Sequence, residues 1–427
     1  MLINLPFAAA TRKRYQLCAP IETEVSGLRD VEELKRLVQE AVEEQRERLC
    51  EISRWLYEHP ELGSEEYQAA ELLTGELEKH GFAVERGLLG MPTAFSASYK
   101  GRGDGPRVAV LAEYDALPGV GHGCGHNLIA ASAVGAGIAA SKVMGELDGE
   151  VLVVGTPAEE GRGPSAGSKV IMAEKGFWDD IDAAIMLHPS VRWSVGNRSL
   201  GIWTVKMEFK GQTSHAAASP HEGINALNAA VLAFTATHML RQEARRDANL
   251  VIHGIISEGG LASNIIPDRA VCEFGVRSSD DAYLKEMVEK VARCAEGAAL
   301  AMGAKVKVTK KKLYSGKKIN EPLVELLWNN YKALGVEPVD WRESIKGMPM
   351  ASTDFGDVSQ RTPAAGSYIK IADPGTPGHS REFADASVTL EGLEAMIIGA
   401  KALAMTIVDL LANPENAKRA REYFNSH

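Results

Sequence analysis

The sequence predicts an α/β protein in which helices cover a mostly parallel sheet, with a smaller α+β domain inserted into it. Short apolar segments alternate with helical segments up to about Pro189, as in parallel sheets whose strands are connected by helices. From about Gly201 the order of elements changes, and further along the chain the first pattern resumes. We therefore expect residues 30–200 and 313–427 to form the first domain and residues 201–312 the inserted domain.

Size and composition limit what the chain can be. Its 427 residues are enough for two domains, and its net charge of -10 argues against binding nucleic acid. Five scattered cysteines without a repeated spacing argue against a disulfide framework, so we expect a reducing, cytoplasmic setting. Near the N-terminus basic residues follow the apolar segment instead of preceding it, which argues against a signal peptide. We expect no apolar segment to approach the length needed to cross a membrane.

The first domain is predicted to begin with two helices. Apolar residues recur at a helical period among many charges from residue 30 to 57, which predicts one long amphipathic helix. Pro60 disfavours helix at the residue before it, so the second helix is expected at about 64–80. Apolar runs then predict a helix of small residues at 128–144 and the strands 82–86, 94–99, 107–112, 151–154 and 183–187.

The inserted domain is predicted from the order of its elements. Periodicity predicts the strands 203–210, 250–257, 270–276 and 305–310 and the helices 224–246 and 281–302. Their order along the chain is βαββαβ, the order of ferredoxin-like domains, which are self-contained units. A helix at about 390–411 completes the first domain after the insertion.

A loop directly after a buried strand concentrates residues that can bind a metal. It contains Glu113, Asp115, His122, Cys124 and His126. Only a glycine separates Cys124 from His126, so both side chains can turn toward one point. Thiolate and imidazole together favour zinc or a similar ion, and the carboxylates keep manganese possible. The alternative is that Cys124 is a small buried apolar residue and the histidines are polar loop residues.

Two later strands also end in candidate ligands. Glu159 and Glu160 are adjacent, so their side chains must diverge, and one could hold a metal while the other takes a proton from a nearby water. His188 follows the next strand, and His379 follows a turn near the end of the chain. With the cysteine and histidine of the first loop, such ligands are too many for one tetrahedral zinc and fit two metals that share ligands. The alternative is solvated glutamates and structural histidines.

Several segments together form a specific set. They are His59–Gly63, Glu113–Pro118, Gly121–Asn127, Gly155–Glu160, Ser263–Pro267, Ser352–Gly356 and Gly378–Phe383. In these segments the chain resembles the cocatalytic metallopeptidases of the M20 family, which include aminoacylase, glutamate carboxypeptidase and the auxin-conjugate and hippurate amidohydrolases. It is most similar to the branch of p-aminobenzoyl-glutamate hydrolase and the β-alanyl-lysine dipeptidases. The resemblance implies a zinc-peptidase-like catalytic domain.

The resemblance also implies the composition of the site. It gives two divalent ions, Mn²⁺ or Zn²⁺, and five ligands, which are Cys124, His126, Glu160, His188 and His379. It implies that Glu159 is the general base. It also implies that Asp115 does not bind a metal itself but orients a metal ligand, as metal-bound histidines usually require. Glu113 stands where other branches place a metal-binding histidine. Because Cys124 indicates a differently built site, we leave Glu113 out of the ligand set.

For the inserted domain, the resemblance implies a role in dimerisation and as a lid. His215 matches a histidine that reaches into the neighbouring subunit's active site and stabilises the developing oxyanion. Asn264 and Arg277 match residues that bind the substrate's carboxylate, for which a planar guanidinium is well suited. By local chemistry alone, His215 and Arg277 would be ordinary surface residues.

We expect a homodimeric, metal-dependent hydrolase that cleaves the C–N bond of a small carboxylate-bearing compound, an N-acyl or N-aminoacyl amino acid being the leading class. Neither nucleic acid nor a membrane is an expected partner. One alternative keeps the same site but releases ammonia from a carboxylate-bearing aromatic amine. Another is an inactive metal-binding scaffold. The loop Gly161–Gly167 departs from the short link of similar proteins and bears on the choice of substrate.

Overall fold

A computed structural model describes residues 29–339, 342 and 352–426, so the N-terminal segment considered above as a signal peptide lies outside the described residues. The helices are α1 Val31–Glu44, α2 Arg46–Glu58, α3 Tyr67–Lys79, α4 His126–Ser141, α5 Ser168–Glu174, α6 Ala226–Met239, α7 Asp281–Met302, α8 Glu321–Ala333, α9 Phe355–Ser359, α10 Arg381–Ala386, α11 Leu390–Ala412 and α12 Pro414–Ser426. The strands are β1 Ala83–Arg86, β2 Phe95–Lys100, β3 Arg107–Ala112, β4 Glu150–Gly155, β5 Ala183–Ser190, β6 Ser194–Val195, β7 Gly201–Lys210, β8 Val251–Glu258, β9 Arg269–Ser278, β10 Lys305–Tyr314 and β11 Ala364–Lys370.

The larger sheet has the strand order β1-β2-β4-β3-β5-β11-β6. Its four central strands, β4, β3, β5 and β11, run parallel, and the pairings at both edges are antiparallel. Val110 of β3 lies opposite Val153 on one side and Ile185 on the other, and all three side chains are fully buried. Helices therefore cover both faces of the central strands, as their continuous apolar sequences predict.

Helix α4 is buried along its whole length between the larger sheet and helices α1, α2 and α11. Two glycines permit this close packing. A Cβ atom at Gly135 would lie 2.5 Å from Leu49 Cδ1, and one at Gly137 would lie 2.4 Å from Val153 Cγ2. Since α4 begins at His126, its tight contact with the sheet fixes the position of a predicted metal ligand.

The smaller sheet has the order β10-β7-β9-β8, and every pairing in it is antiparallel. Helices α6 and α7 pack on one of its faces and share with it a hydrophobic core separate from that of the larger sheet. The βαββαβ order is confirmed. The boundary expected after residue 312 remains a prediction, and β10 itself continues to Tyr314.

Two expectations need correction. The single helix expected at 30–57 is two helices that meet at Gln45, whose N–H bonds back to Val42 O at 3.2 Å. The break lets α1 pack on α11 while α2 packs on α4.

The second correction concerns the length of the apolar segments. Helix α11 is long and apolar enough to cross a membrane, judged by its length and composition alone. Its most apolar window is 83% buried within the fold, which is typical of a core helix.

Candidate metal centre

The candidate site lies at the carboxyl ends of the four central parallel strands. Asp115 follows β3, Glu159 and Glu160 follow β4, His188 lies near the end of β5, and His379 follows β11. Because the strands are parallel and adjacent, their carboxyl ends meet at one edge of the sheet. Residues far apart in sequence are thereby brought close together.

All five predicted ligands come together, in two groups that share Cys124. The donor atoms of Cys124, His126 and His188 lie within 4.8 Å of one another, and so do those of Cys124, Glu160 and His379. Within these groups, Cys124 Sγ lies 3.4 Å from His188 Nε2, and Glu160 Oε1 lies 3.5 Å from His379 Nε2. A shared thiolate between two sets of ligands is an arrangement that can hold two cations side by side.

Local backbone geometry brings these loops together. Gly125 has φ 75°, and a Cβ atom there would lie 2.7 Å from Pro189 Cγ, so only glycine lets the Cys124 loop lie against the residue after His188. On the other side, the N–H of His379 donates to Gly123 O at 2.9 Å. The same loop is therefore tied to the segments that carry two of the histidines.

The rings of His126 and His188 are each held by a protein oxygen at Nδ1, which directs Nε2 toward the other candidate ligands. His126 Nδ1 lies 2.9 Å from both the backbone O and the Oδ1 of Asp115, and His188 Nδ1 lies 2.7 Å from Pro189 O. His126 Nε2 and Glu160 Oε1 are buried, and neither has a hydrogen-bond partner among the described residues. Unpartnered polar atoms in a buried site are costly, so this donor set fits a bound cation.

Burial and neighbouring charges shift the pKa values of three of the candidate ligands. Burial raises the pKa of Cys124 to about 12, so without a cation the group is a neutral thiol. Burial alone would lower the pKa of His126, but Asp115 and Cys124 outweigh it and raise that pKa well above its ordinary value. Burial lowers the pKa of His188 to about 4, which keeps it neutral and able to bind metal. A divalent ion would displace the protons of Cys124 and His126.

A second cluster adjoins the first and was missed by the sequence analysis. One carboxylate oxygen each of Glu113, Glu159 and Asp354 lies within 4.8 Å of the others. Between them Lys169 Nζ, whose side chain is fully buried, lies 2.8 Å from Glu113 Oε1 and 2.5 Å from Asp354 Oδ1. The one available signal was a lysine at the start of an apolar helical run, Val170–Ala173.

The ammonium of Lys169 contacts Glu113 and Asp354, and the pKa values of the three neighbouring carboxylates shift in different directions. Burial and the charges of Glu113 and Asp354 raise the pKa of Glu159 well above its ordinary value. Burial also raises the pKa of Asp354, against the opposing effect of Lys169. Burial acts the same way on Glu113, but Lys169 and His126 outweigh it and lower its pKa.

Glu66 is another buried carboxylate that the sequence analysis did not single out. Its Oε1 accepts the N–H of Ala158 at 2.8 Å, and its Oε2 accepts the hydroxyl of Thr93 at 2.9 Å. Ala158 has φ 56°, a left-handed conformation that is unfavourable for alanine, and it directly precedes Glu159. Glu66 thus connects the segment after Pro60 to the backbone that carries the paired glutamates.

None of the candidate metal groups in the described part of the chain includes the three residues predicted for the inserted domain. No hydrogen bond or ion pair between described residues joins His215 to the five ligands. His215 instead pairs with Ile265, and the N–H of Ala216 donates to Asn264 O at 3.0 Å, so His215 and Asn264 lie on neighbouring loops. Arg277 Nη1 donates to Ser352 Oγ at 3.3 Å, and its buried Nε has no hydrogen-bond partner among the described residues.

A mixed sheet that carries candidate metal ligands at its carboxyl edge is thus joined to a second, antiparallel sheet. Residues 109–409 match the model of peptidase family M20/M25/M40. The chain belongs to this family.

Individual relatives agree with this membership along most of the chain. Xaa-Arg dipeptidase of Mus musculus is 35% identical over 418 residues, covering 95% of each chain. A p-aminobenzoyl-glutamate hydrolase subunit of Escherichia coli is 30% identical, covering 89% of this chain and 92% of its own. A dinuclear metal-binding M20 peptidase of Bacillus subtilis has the same fold, with a TM-score of 0.69 at 22% identity, over 87% of this chain and 99% of its own.

Proposed function

We propose that this protein hydrolyses the amide bond of a small N-acyl or N-aminoacyl amino acid, using two divalent ions, Mn²⁺ or Zn²⁺. The observation that carries the proposal is the pair of ligand groups that share Cys124 beside the two adjacent glutamates, Glu159 and Glu160. The relatives described above support the bond type, since one is named a dipeptidase and the other a hydrolase of p-aminobenzoyl-glutamate.

In this proposal Cys124, His126 and His188 hold one ion, and Cys124, Glu160 and His379 hold the other. When bound, the two ions would lower the pKa of a water molecule and polarise the carbonyl group of the substrate. Asp115 keeps the ligands in place, because it contacts His126 Nδ1 at 2.9 Å and accepts the N–H of Glu160 at 3.0 Å.

Glu159 is the proposed general base. It takes a proton from the attacking water and then donates it to the leaving nitrogen. The donor atoms of His126, Glu159 and Glu160 lie within 4.8 Å of one another, so the carboxylate of Glu159 is close to the proposed metal ligands, as a base for a water molecule there must be.

His215 is the proposed donor to the developing oxyanion. Its Nδ1 accepts the backbone N–H groups of Ala217 and Ala218 at 3.3 Å and 3.2 Å, which leaves the proton on Nε2. The imidazole can therefore donate from Nε2 while it is neutral. Since His215 is exposed and no hydrogen bond or ion pair between described residues joins it to the ligands of its own chain, we propose that it serves the site of a second copy.

The two edges of the smaller sheet support a homodimer. The outer strand β10 carries exposed lysines, among them Lys305, Lys307 and Lys311, which disfavour pairing with another strand. The opposite outer strand β8 exposes Val251 and Ile255, and the neighbouring helix α6 exposes further apolar residues, Val231, Leu232 and Met239. We propose that this apolar side, formed by β8 and α6, contacts a second copy of the chain.

Arg277 and Asn264 are the proposed carboxylate-binding residues. The buried, unpartnered Nε of Arg277 leaves a donor available for a substrate carboxylate, and Asn264 lies on the loop beside His215.

We also propose that residues 30–200 and 313–427 form the catalytic domain and residues 201–312 the inserted domain, which the two separate hydrophobic cores support. A cytoplasmic location is proposed as well. It is supported by the absence of disulfide bonds among the described cysteines, which are Cys50, Cys124, Cys272 and Cys294.

The proposal is tested with Glu159→Gln and a panel of N-acyl amino acids, dipeptides and carboxylate-bearing aryl amines. We expect the wild-type enzyme to release amino acids and the variant to lose turnover while it keeps the wild-type metal content. Release of ammonia without amide cleavage would favour the deaminase alternative. Near-normal turnover by the variant would contradict the role of Glu159.

A further inference from the structure

The ammonium of Lys169 lies between two fully buried carboxylates, those of Glu113 and Asp354, and a carboxylate oxygen of the partly buried Glu159 lies within 4.8 Å of both. We propose that Lys169 is a positioning residue of the metal centre, which holds Glu113 and Asp354 in place of a metal ion and so confines the metals to the ligand groups around Cys124. The inference rests on the proposed function, because it concerns the boundary of the proposed metal site.

Glu113 lies close enough to the proposed metal site to bind a metal there unless Lys169 holds its carboxylate. Its Oε2 lies 3.5 Å from His126 Nε2, the nitrogen that the proposal assigns to a metal, and its Oε1 lies 2.8 Å from Lys169 Nζ. Both Glu113 and His126 are fully buried. Glu113 could therefore coordinate the same ion as His126, and the contact with Lys169 engages one of its two oxygens.

Asp354 holds Lys169 from the other side. Its Oδ1 lies 2.5 Å from Lys169 Nζ, and its Oδ2 accepts the backbone N–H of the same residue at 3.3 Å. Glu113, Asp354 and Lys169 are all fully buried, so neither carboxylate can be compensated by water. A buried carboxylate without a positive partner is strongly unfavourable.

Carboxylate oxygens that converge in this way are ligands for Mn²⁺ and related hard cations. Because a lysine ammonium is a compact point charge with three donors, it can substitute for such an ion among carboxylates. With Lys169 in place, Glu113 and Asp354 are engaged, and Glu159 is the member of the three that this lysine does not contact. The arrangement leaves Glu159 available for proton transfer.

The test compares the full-length wild type with Lys169→Met, which keeps a side chain of similar length without the charge. After treatment with a chelator, each protein is titrated with Mn²⁺, and bound metal is counted. We expect the variant to bind about one more ion per chain than the wild type, at the vacated position. We also expect its melting temperature without metal to fall and to recover on adding Mn²⁺.

Two further variants localise the effect. Glu113→Gln in the Lys169→Met background should abolish the extra ion, because it removes one of the three carboxylates. Lys175→Met, on an exposed lysine just beyond α5, should leave the metal count unchanged. Should Lys169→Met alone not fold, the inference expects Glu113→Gln or Asp354→Asn to restore folding in that background, and failure of both would overturn it.

The inference and the proposed function fail in different ways. A wild type that binds two ions, with Lys169→Met binding the same number, would overturn the role of Lys169 alone. A wild type that binds no divalent ion would overturn the proposed function, whatever the variant does.

Discussion

Asp115 holds two proposed metal ligands with one carboxylate: its Oδ1 lies 2.9 Å from His126 Nδ1, and its Oδ2 accepts the N–H of Glu160 at 3.0 Å. This contact fixes the orientation of the His126 ring and directs Nε2 away from Asp115. The same carboxylate holds the backbone of Glu160, which follows a different strand. One buried side chain therefore sets the spacing between ligands from β3 and β4.

Replacing this carboxylate should weaken metal binding without removing a ligand. We expect Asp115→Ala to lower Mn²⁺ affinity by about 10- to 100-fold, the usual effect of losing the partner of a metal-bound histidine. Competition with a fluorescent chelator measures the affinity. Asp373→Ala, at an aspartate with a 90% exposed side chain in the turn before His379, is the control. Equal affinities in both variants would contradict the role of Asp115.

Loss of His215 should reduce turnover and leave metal binding intact. We expect His215→Ala to lower kcat by about 10²- to 10³-fold, as for other oxyanion donors, with little change in KM. If the histidine acts across a dimer, mixing His215→Ala with Glu159→Gln subunits should restore activity, because each mixed dimer contains one intact site. Recovery to roughly a quarter of the wild-type rate is expected from random pairing. No recovery after subunit exchange would place the histidine in its own chain's site.

The effect of replacing Arg277 on KM should depend on whether the substrate carries a negatively charged carboxylate. We expect Arg277→Met to raise KM by about 10- to 100-fold for a substrate with a free carboxylate, since a charged hydrogen bond is worth about 1.5–3 kcal/mol. The corresponding carboxamide should be affected much less. Arg269→Met, at the exposed start of the same strand, is the control. An equal rise for the carboxylate and the carboxamide would show that Arg277 does not bind the carboxylate.

Glu66 should make the stability of the fold depend on pH. Burial raises its pKa from 4.5 to about 7, so between these values the folded chain binds more protons than the unfolded chain. Its contribution to stability is therefore complete below about pH 4.5 and is lost as the pH rises to about 7, by roughly 3 kcal/mol in total.

Glu66→Gln removes this titration but keeps an oxygen that can accept the N–H of Ala158. We expect the free energy of unfolding of the wild type, measured by urea denaturation, to fall more steeply than that of the variant over this pH range. Identical slopes for the two proteins would contradict the assignment of the shift to Glu66.

The sequence was sufficient to predict many of the elements and the candidate ligands, but it did not predict α5, α8, α12 or the central strand β11. Ligands that follow apolar strands, such as Glu160 after β4, could be predicted because a parallel sheet brings the ends of its strands together. Family motifs added His379, whose approach to Glu160 depends on a loop after β11. The helix boundary at Gln45 was missed, because it follows from packing against two different helices and not from a proline or glycine.

Buried charge pairs could not be predicted in the same way. Lys169 and Asp354 are 185 positions apart, and only the fold brings the ammonium and the carboxylate together. The local sequence does not reveal that the side chain of Lys169, on the short helix α5, is fully buried. The same holds for Glu66, whose partners Thr93 and Ala158 belong to two other segments.

The most direct test of the account is anomalous X-ray scattering from crystals of the Mn²⁺-loaded protein. The account predicts two neighbouring peaks per chain, one among Cys124, His126 and His188 and the other among Cys124, Glu160 and His379, and no peak at Lys169. A single peak, no peak, or a metal elsewhere while these five side chains bind none would contradict it.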